Sequence, residues 1–263
     1  MTEWNAAGYE RISALQQKMA SEALALTQFK GFERVLDVGC GSGRVTAGLA
    51  SLVPDGEVLG VDASSEMIAF ASQAAEAAGL KNLHYAVADA RRLEFDAEFD
   101  AIVSFNALHW IPQQESALRG LHKALKPHGW AHIRLVTRGQ RVSLEDTLEA
   151  VARSERWADY FRDHVDPYLH LTASEYGSLA ERCGFVVDNS RVYDETWDFL
   201  SHENFQNFLR VTTVAWTAKL PSSETAAFLD DVLARYRTVA CSQLGEEYLF
   251  RFYQMDLRLT HRP

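Results

Sequence analysis

Short apolar runs alternate with helix-length segments between Arg34 and Val136. The runs are Arg34–Val38, Val58–Val61, Leu83–Val87, Phe99–Phe105 and Trp130–Val136. Runs this short and rich in Val and Ile, separated by helical patterns, predict βαβ units and a parallel sheet. Gly79 is placed to close a helix that starts near Ser64. Pro112 is expected to open another, whose Leu118, Leu121 and Leu125 share one face before Pro127 stops it.

A helix is predicted upstream, from about Glu10 to Leu26. Ile12, Leu15, Met19, Ala23 and Leu26 fall in a stripe roughly 80° wide, with Gln16 about 20° outside it and Gln17 pointing away. Downstream of Val136 the pattern turns helical and aromatic. Cys183–Phe199 reads as a strand pair or one long bent strand. Helices follow from about Asn204 to Thr238, broken at Pro221, and Tyr248–Leu259 looks like a last strand returning to the sheet.

The fold class this predicts is α/β: a doubly wound, Rossmann-like, mostly parallel seven-stranded sheet with an N-terminal helix and a helical lid. Residues 1–30 are expected to form an N-terminal helical cover. Residues 31–199 and 246–263 would form the core, with 200–245 as a lid inserted between two strands.

Composition narrows the function. At 263 residues and 47% hydrophobic, the chain can bury a large core. Its net charge of −10 is the wrong sign for gripping a phosphate backbone, so nucleic acid is a poor candidate partner. No run reaches the roughly 18 apolar residues a membrane helix needs, and Met1 to Glu10 lacks a basic leader or apolar signal core. Cys40, Cys183 and Cys241 are widely and irregularly spaced. They read as reduced thiols of a cytoplasmic protein, with no paired ligand spacing for zinc. The expected partner is a small molecule, and the expected assembly a monomer or homodimer.

Val35-Leu36-Asp37-Val38-Gly39-Cys40-Gly41-Ser42-Gly43 carries the strongest local signal. It follows a strand and opens a helix, where glycines let a ligand approach the backbone. A dinucleotide fingerprint would place its third glycine one residue later, where Arg44 stands. Asp37 would also repel a diphosphate, whereas a cationic cofactor without phosphates tolerates it. S-adenosylmethionine, with a sulfonium and an amino group, suits such a site.

Three further residues sit at strand ends, where ligands bind in such sheets. Asp62 can accept from both ribose hydroxyls, Asp89 from an adenine amino group, and Asn106 follows the fourth strand. Each acid alone could equally be a helix cap.

With these motifs the chain resembles the class I S-adenosylmethionine-dependent methyltransferases. More narrowly, it is similar to a carboxyl-methylating group that includes insect juvenile hormone acid O-methyltransferases and bacterial trans-aconitate methyltransferases. The match spans about residues 4 to 136, and a fainter one runs through Ser154-Glu155-Arg156-Trp157 and Glu181-Arg182-Cys183-Gly184-Phe185. The resemblance implies cofactor contacts from Asp37, Gly39, Cys40, Gly41, Gly43, Asp62, Ala63, Met67, Asp89, Ala90 and Asn106.

Two motifs bear on the methyl acceptor, Ser13-Ala14-Leu15-Gln16 and Leu108-His109-Trp110-Ile111. The resemblance implies that the Gln16 amide and the Trp110 indole N–H hold a substrate carboxylate. A carboxylate is already ionised at neutral pH, so it needs alignment and desolvation rather than a base. Trp110 could instead pack on the sheet, and Gln16 could be an ordinary boundary residue. His109 offers a general base for a phenol, amine or carbon acceptor in the competing reading. A third reading is a non-catalytic S-adenosylmethionine-binding protein. Trp4 and Tyr9 resemble the aromatic N-terminal segment of the trans-aconitate enzymes and would cover the substrate. Phe205, Phe208 and Trp216 could line an apolar pocket, though helix-core packing is the commoner use of any one. A tricarboxylate would call for additional cations; Arg11, Arg138 and Arg210 are available in the chain, with nothing in the sequence to place them in the cleft.

Overall fold

A computed structural model describes residues 13–241, 243 and 245–261 of the chain. Seven strands form one sheet in the order β3-β2-β1-β4-β5-β7-β6. They are β1 (Arg34–Val38), β2 (Glu57–Asp62), β3 (Leu83–Val87), β4 (Phe99–Phe105), β5 (Leu125–Thr137), β6 (Phe185–Asp198) and β7 (Leu249–His261). Strands β1 to β5 pair in parallel, and β7 runs antiparallel between β5 and β6. The predicted α/β sheet is therefore present, with its reversed strand next to one edge.

Side-chain alternation explains how both faces are covered. Leu36, Ile102 and Ile133 point to one face and join a cluster with α4 (Gln114–Ala124) and α6 (Ala173–Arg182). Val35, Val58, Ala101 and Val103 point to the other, against α2 (Arg44–Leu52) and α3 (Ser65–Ala78). Both faces of the central strands β1 and β4 are thus buried, as their apolar runs require, while the edge strand β3 keeps Val87 57% exposed. Helix α3 has the termini its sequence predicts: the Ser64 side chain accepts from the Met67 amide, and Gly79 adopts φ 67° at the C-cap.

Three boundaries differ from expectation. Helix α4 begins at Gln114, two residues after Pro112, because Leu108–Trp110 already forms a short 3-10 turn. Leu118 and Leu121 are buried as expected, but Leu125 is the first residue of β5 and Pro127 lies inside that strand. The β4–β5 register shifts between Phe99 and Ala101, which jumps from Leu125 to Trp130. Pro127 falls within that irregularity, where the ladder needs no donor from it. Cys183–Phe199 resolves into the single long strand β6, with a register shift between Val187 and Asn189.

The third is helix α1 (Ser13–Ala25), which ends before Leu26 and leaves that residue 44% exposed. Thr27 takes the buried position instead, its hydroxyl donating to the Ala23 carbonyl. Leu15 and Ala23 of the expected stripe are buried. Ile12 lies outside the described residues, as do the side chains of Gln16 and Gln17.

Between β6 and β7 lie α7 (His202–Thr212), α8 (Val214–Thr217) and α9 (Ser222–Ala240). Their aromatics share one apolar cluster with Leu15 of α1 and with Leu144, Leu148 and Val151 of α5 (Leu144–Ala152). Trp157, Phe161 and Tyr168 join it from the following loop. Among the described residues, no helix is long and apolar enough to cross a membrane.

Candidate active site

The carboxyl ends of β1 to β4 open into a cavity of about 630 Å³ roofed by α1, α5 and α7. After β1 the chain turns through left-handed conformations at Gly39 (φ 79°) and Gly41 (φ 52°) before Gly43 (φ 79°) starts α2. A Cβ on Gly39 would collide with Ala107, whereas one on Gly41 would meet open space. Gly39 is thus needed for close approach as well as conformation, and Gly41 for conformation alone. The Gly39 and Cys40 amides donate to the Val61 carbonyl at 2.8 and 3.0 Å, which fixes the turn against β2.

Most of the expected cofactor residues border this cavity: Asp37, Gly39, Cys40, Gly41, Asp62, Ala63, Met67, Asp89, Ala90 and Asn106. Gly43 does not. It is packed against Tyr85 and Ala71, and its carbonyl accepts the Tyr85 hydroxyl at 3.1 Å. Its contribution is steric, because only a residue without Cβ fits there.

The carboxylates differ in environment. Asp37 is 2% exposed and accepts the Thr46 hydroxyl at 2.8 Å. Burial pushes its carboxyl up to about 7; the Thr46 hydrogen bond opposes this and the nearby Asp62 charge adds to it. Asp62 accepts the Gly41 amide at 3.0 Å and the Ser64 amide at 2.9 Å, so it ties the glycine turn to the start of α3. Each carboxylate oxygen has two lone pairs, which leaves capacity for a ligand. Asp89 is gripped by Arg91 through Nε and Nη2, at 2.6–3.0 Å. That hydrogen bonding holds its carboxyl below the usual range. Asn106 takes φ 57°, a conformation asparagine tolerates, and its buried Oδ1 has no hydrogen-bond partner among the described residues.

A methyltransferase domain model matches residues 35–129, from β1 into β5. The chain is 32% identical over 194 residues to a trans-aconitate 2-methyltransferase of Methylobacterium radiotolerans, covering 74% of this chain and 67% of the relative. It is 25% identical over 213 residues to the juvenile hormone acid O-methyltransferase of Drosophila melanogaster, covering 77% and 70%. Among solved structures, the YcgJ protein of Bacillus subtilis superposes with a TM-score of 0.68 at 17% identity, covering 94% of this chain and 99% of that one. The chain belongs to the class I S-adenosylmethionine-dependent methyltransferases.

S-adenosylmethionine is accordingly the cofactor of this methyltransferase. The residues present fit it: a cradle bordered by three carboxylates, one turn with two left-handed glycines and, among the described residues, an unpaired buried Asn106 Oδ1. Bound there, the cofactor supplies an electrophilic methyl group on a sulfonium.

The other half of the cavity is mostly apolar. Leu15 and Met19 of α1, Leu144 and Leu148 of α5, Phe208 of α7 and Phe250 and Phe252 of β7 border it. The 3-10 turn after Asn106 delivers His109 and Trp110 to its wall. The Trp110 ring lies 4.3 Å from that of Tyr168, centroid to centroid. Tyr168 in turn donates its hydroxyl to the Thr212 carbonyl at 3.2 Å. His109 is 5% exposed, and burial, reinforced by neighbouring His170, keeps its imidazole well below the usual range. It is neutral, with a buried Nδ1 that has no hydrogen-bond partner.

Of the other candidates, Phe208 borders the cavity while Phe205 and Trp216 are buried in the aromatic cluster. Trp216 directs its indole N–H to Glu149 at 2.8 Å, not to the cavity. Arg138 pairs with Glu175 and Arg210 donates to Gln206, and neither borders the main cavity. Trp4, Tyr9, Arg11 and the Gln16 side chain lie outside the described residues.

Sequence reasoning missed Arg91, Glu145, Asp166 and Tyr168, which border the cavity. Arg91 was open to discovery, since Asp89-Ala90-Arg91 is the spacing of a side chain folding back on a turn. No motif in the sequence marks Glu145 or Asp166.

Proposed function

We propose that this enzyme methylates a carboxylate oxygen of a small organic or fatty acid with an apolar body. The observation that carries the reading is Trp110, set by its 3-10 turn where the apolar chamber meets the cofactor loops. Support comes from the relatives, one named for trans-aconitate and the other for juvenile hormone acid.

In this reading Asp37, Gly39, Cys40, Gly41, Asp62, Ala63, Met67, Asp89, Ala90 and Asn106 hold the cofactor. The Trp110 indole N–H and, by family resemblance, the Gln16 amide orient the acceptor carboxylate without giving it a proton. An Arg at that point would stabilise the starting anion and slow the displacement, in which opposite charges cancel. The apolar wall removes water from the carboxylate, which raises its nucleophilicity. Residues 1–30 and 200–245 act as covers over a core formed by 31–199 and 246–263. The segment 144–168 shares the aromatic cluster with the second cover and works with it.

His109 supports a second reading, base-assisted transfer to a phenol, amine or carbon, because its Nδ1 is buried and unpaired. Its depressed basicity weighs against this. The test is a panel of organic acids, fatty acids, phenols and amines with methyl-labelled cofactor, products being separated by base-labile ester. Label in esters from acids alone supports the carboxylate reading. Label only in phenols or amines, lost in His109→Ala, overturns it.

A further inference from the structure

Two carboxylates, Glu145 and Asp166, are among the residues bordering the chamber. Glu145 stands in the first turn of α5, and Asp166 in the loop before α6, where its Oδ1 accepts the Tyr168 amide at 2.9 Å. Both also border a smaller cavity of about 220 Å³ on their far side. The guanidiniums there are already engaged: Arg138 with Glu175 at 2.9 Å, Arg141 with Asp194 at 2.6 Å and Arg251 with Glu246 at 2.8 Å. On the chamber side, the basic side chains among the described residues are Arg44 and Arg91, at the cofactor loops, with Arg91 paired to Asp89.

A second anionic group on the acceptor would therefore approach two acids across apolar walls, where like charges repel more strongly than in water. Specificity often rests on such a repulsive element rather than on a better fit. Burial already raises the Asp166 carboxyl, a sign that this wall is poorly solvated.

We propose that Glu145 and Asp166 form a charge filter that admits monocarboxylates with an uncharged apolar body and turns away di- and tricarboxylates. The filter rests on the carboxylate reading above and specifies its substrate class.

The test compares a straight-chain monocarboxylate, the α,ω-dicarboxylate of the same carbon number and the matching ω-amino acid. Wild-type enzyme is expected to favour the monoacid over the diacid by about 100-fold in kcat/KM. In Glu145→Gln/Asp166→Asn that ratio falls about tenfold or more, chiefly through a lower KM for the diacid. Each single substitution is measured as well, with cofactor-product binding as the folding control. The wild-type ratio needs no variant: equal rates on monoacid and diacid overturn the filter while leaving the carboxylate reading intact. An unchanged ratio in a folded double variant also overturns it. A faster ω-amino acid would mean that the two acids recognise a cation, and overturns it too. Methylated amine with no ester from any acid overturns both readings together.

Discussion

The Thr46 hydroxyl donates to the Asp37 carboxylate at 2.8 Å beneath the glycine turn, a polar contact that offsets part of the burial of that acid. With its carboxyl near 7, Asp37 is partly protonated at neutral pH in the free enzyme. The net positive charge of the bound cofactor, with its sulfonium and ammonium, favours the ionised form, so binding releases a proton. Cofactor Kd is expected to weaken about tenfold between pH 8 and pH 6, and to lose that dependence in Asp37→Asn. Folding shows the opposite linkage. The raised carboxyl gives stability that is present below about pH 4 and lost as pH rises through 7. Thr46→Val removes the offset and moves the midpoint of the binding profile upward. Calorimetry across pH reads both effects, and a flat wild-type profile refutes the assignment.

Asp62 holds two backbone amides and borders the cofactor cradle, so its loss should register twice. Asp62→Ala is expected to weaken cofactor binding about 100-fold and to cost about 1–2 kcal/mol of stability, since the Gly41 and Ser64 amides lose their acceptor. Denaturant unfolding and cofactor titration separate the two. Unaltered affinity in the folded variant removes Asp62 from the site.

The parallel core was legible because its strands announce themselves twice, by short apolar runs and by a ligand-type residue at each carboxyl end. Asp37, Asp62, Asp89 and Asn106 all border one cavity. Boundaries failed where tertiary pairing overrode local rules. Pro127 should end a helix and instead lies in an irregularity of β5, a consequence of the β4–β5 register that no local pattern encodes. Gly43 reads like its neighbours, yet it is the Tyr85 ring from β3 that dictates it. The acceptor wall was least legible. Glu145 and Asp166 are far apart in sequence, and only the packing of α5 against the loop before α6 brings both to the cavity.

His109 gives a prediction on pH. Its neutral imidazole cannot donate a charge change between pH 6 and 8, and a carboxylate acceptor stays ionised throughout that range. kcat at saturating cofactor should therefore be flat across it, whereas a His109-dependent base would impose a rising limb. The same residue shapes stability. Its depressed folded value means that the unfolded chain takes up the proton more readily, so stability falls as pH drops below 6.5. His109→Gln should make that acid limb shallower, as measured by urea midpoints between pH 5 and 7.

Trp110→Phe keeps an aromatic ring against Tyr168, at the cost of some ring area, and removes the indole N–H donor. The expected loss is about 10- to 100-fold in kcat/KM for the true acid, the magnitude of one hydrogen bond to a charged group. Stability should change by less than about 1 kcal/mol, because the 4.3 Å ring contact persists in kind. Steady-state kinetics with thermal melts reads the pair. An unchanged rate sinks the carboxylate clamp, and a lost fold would show that Trp110 is a packing residue.

Glu149 links α5 to the helical segment between β6 and β7, both of which border the cavity. Its Oε1 accepts the Trp216 indole N–H and stands 2.8 Å from His164 Nε2, while its Oε2 accepts Arg153 Nη2. Trp216 belongs to α8, Glu149 to α5 and His164 to the loop that follows, so one carboxylate joins three pieces of chain. Glu149→Ala would strand a fully buried indole donor and a buried imidazole, with an expected cost of about 3 kcal/mol. Glu149→Gln keeps an acceptor oxygen for the indole and should recover a good part of that loss. Because the cofactor cradle is built by β1 to β4, cofactor affinity should hold in folded Glu149→Ala while KM for the acceptor rises. Equal damage to both would place the network in the core as a whole rather than in the cover.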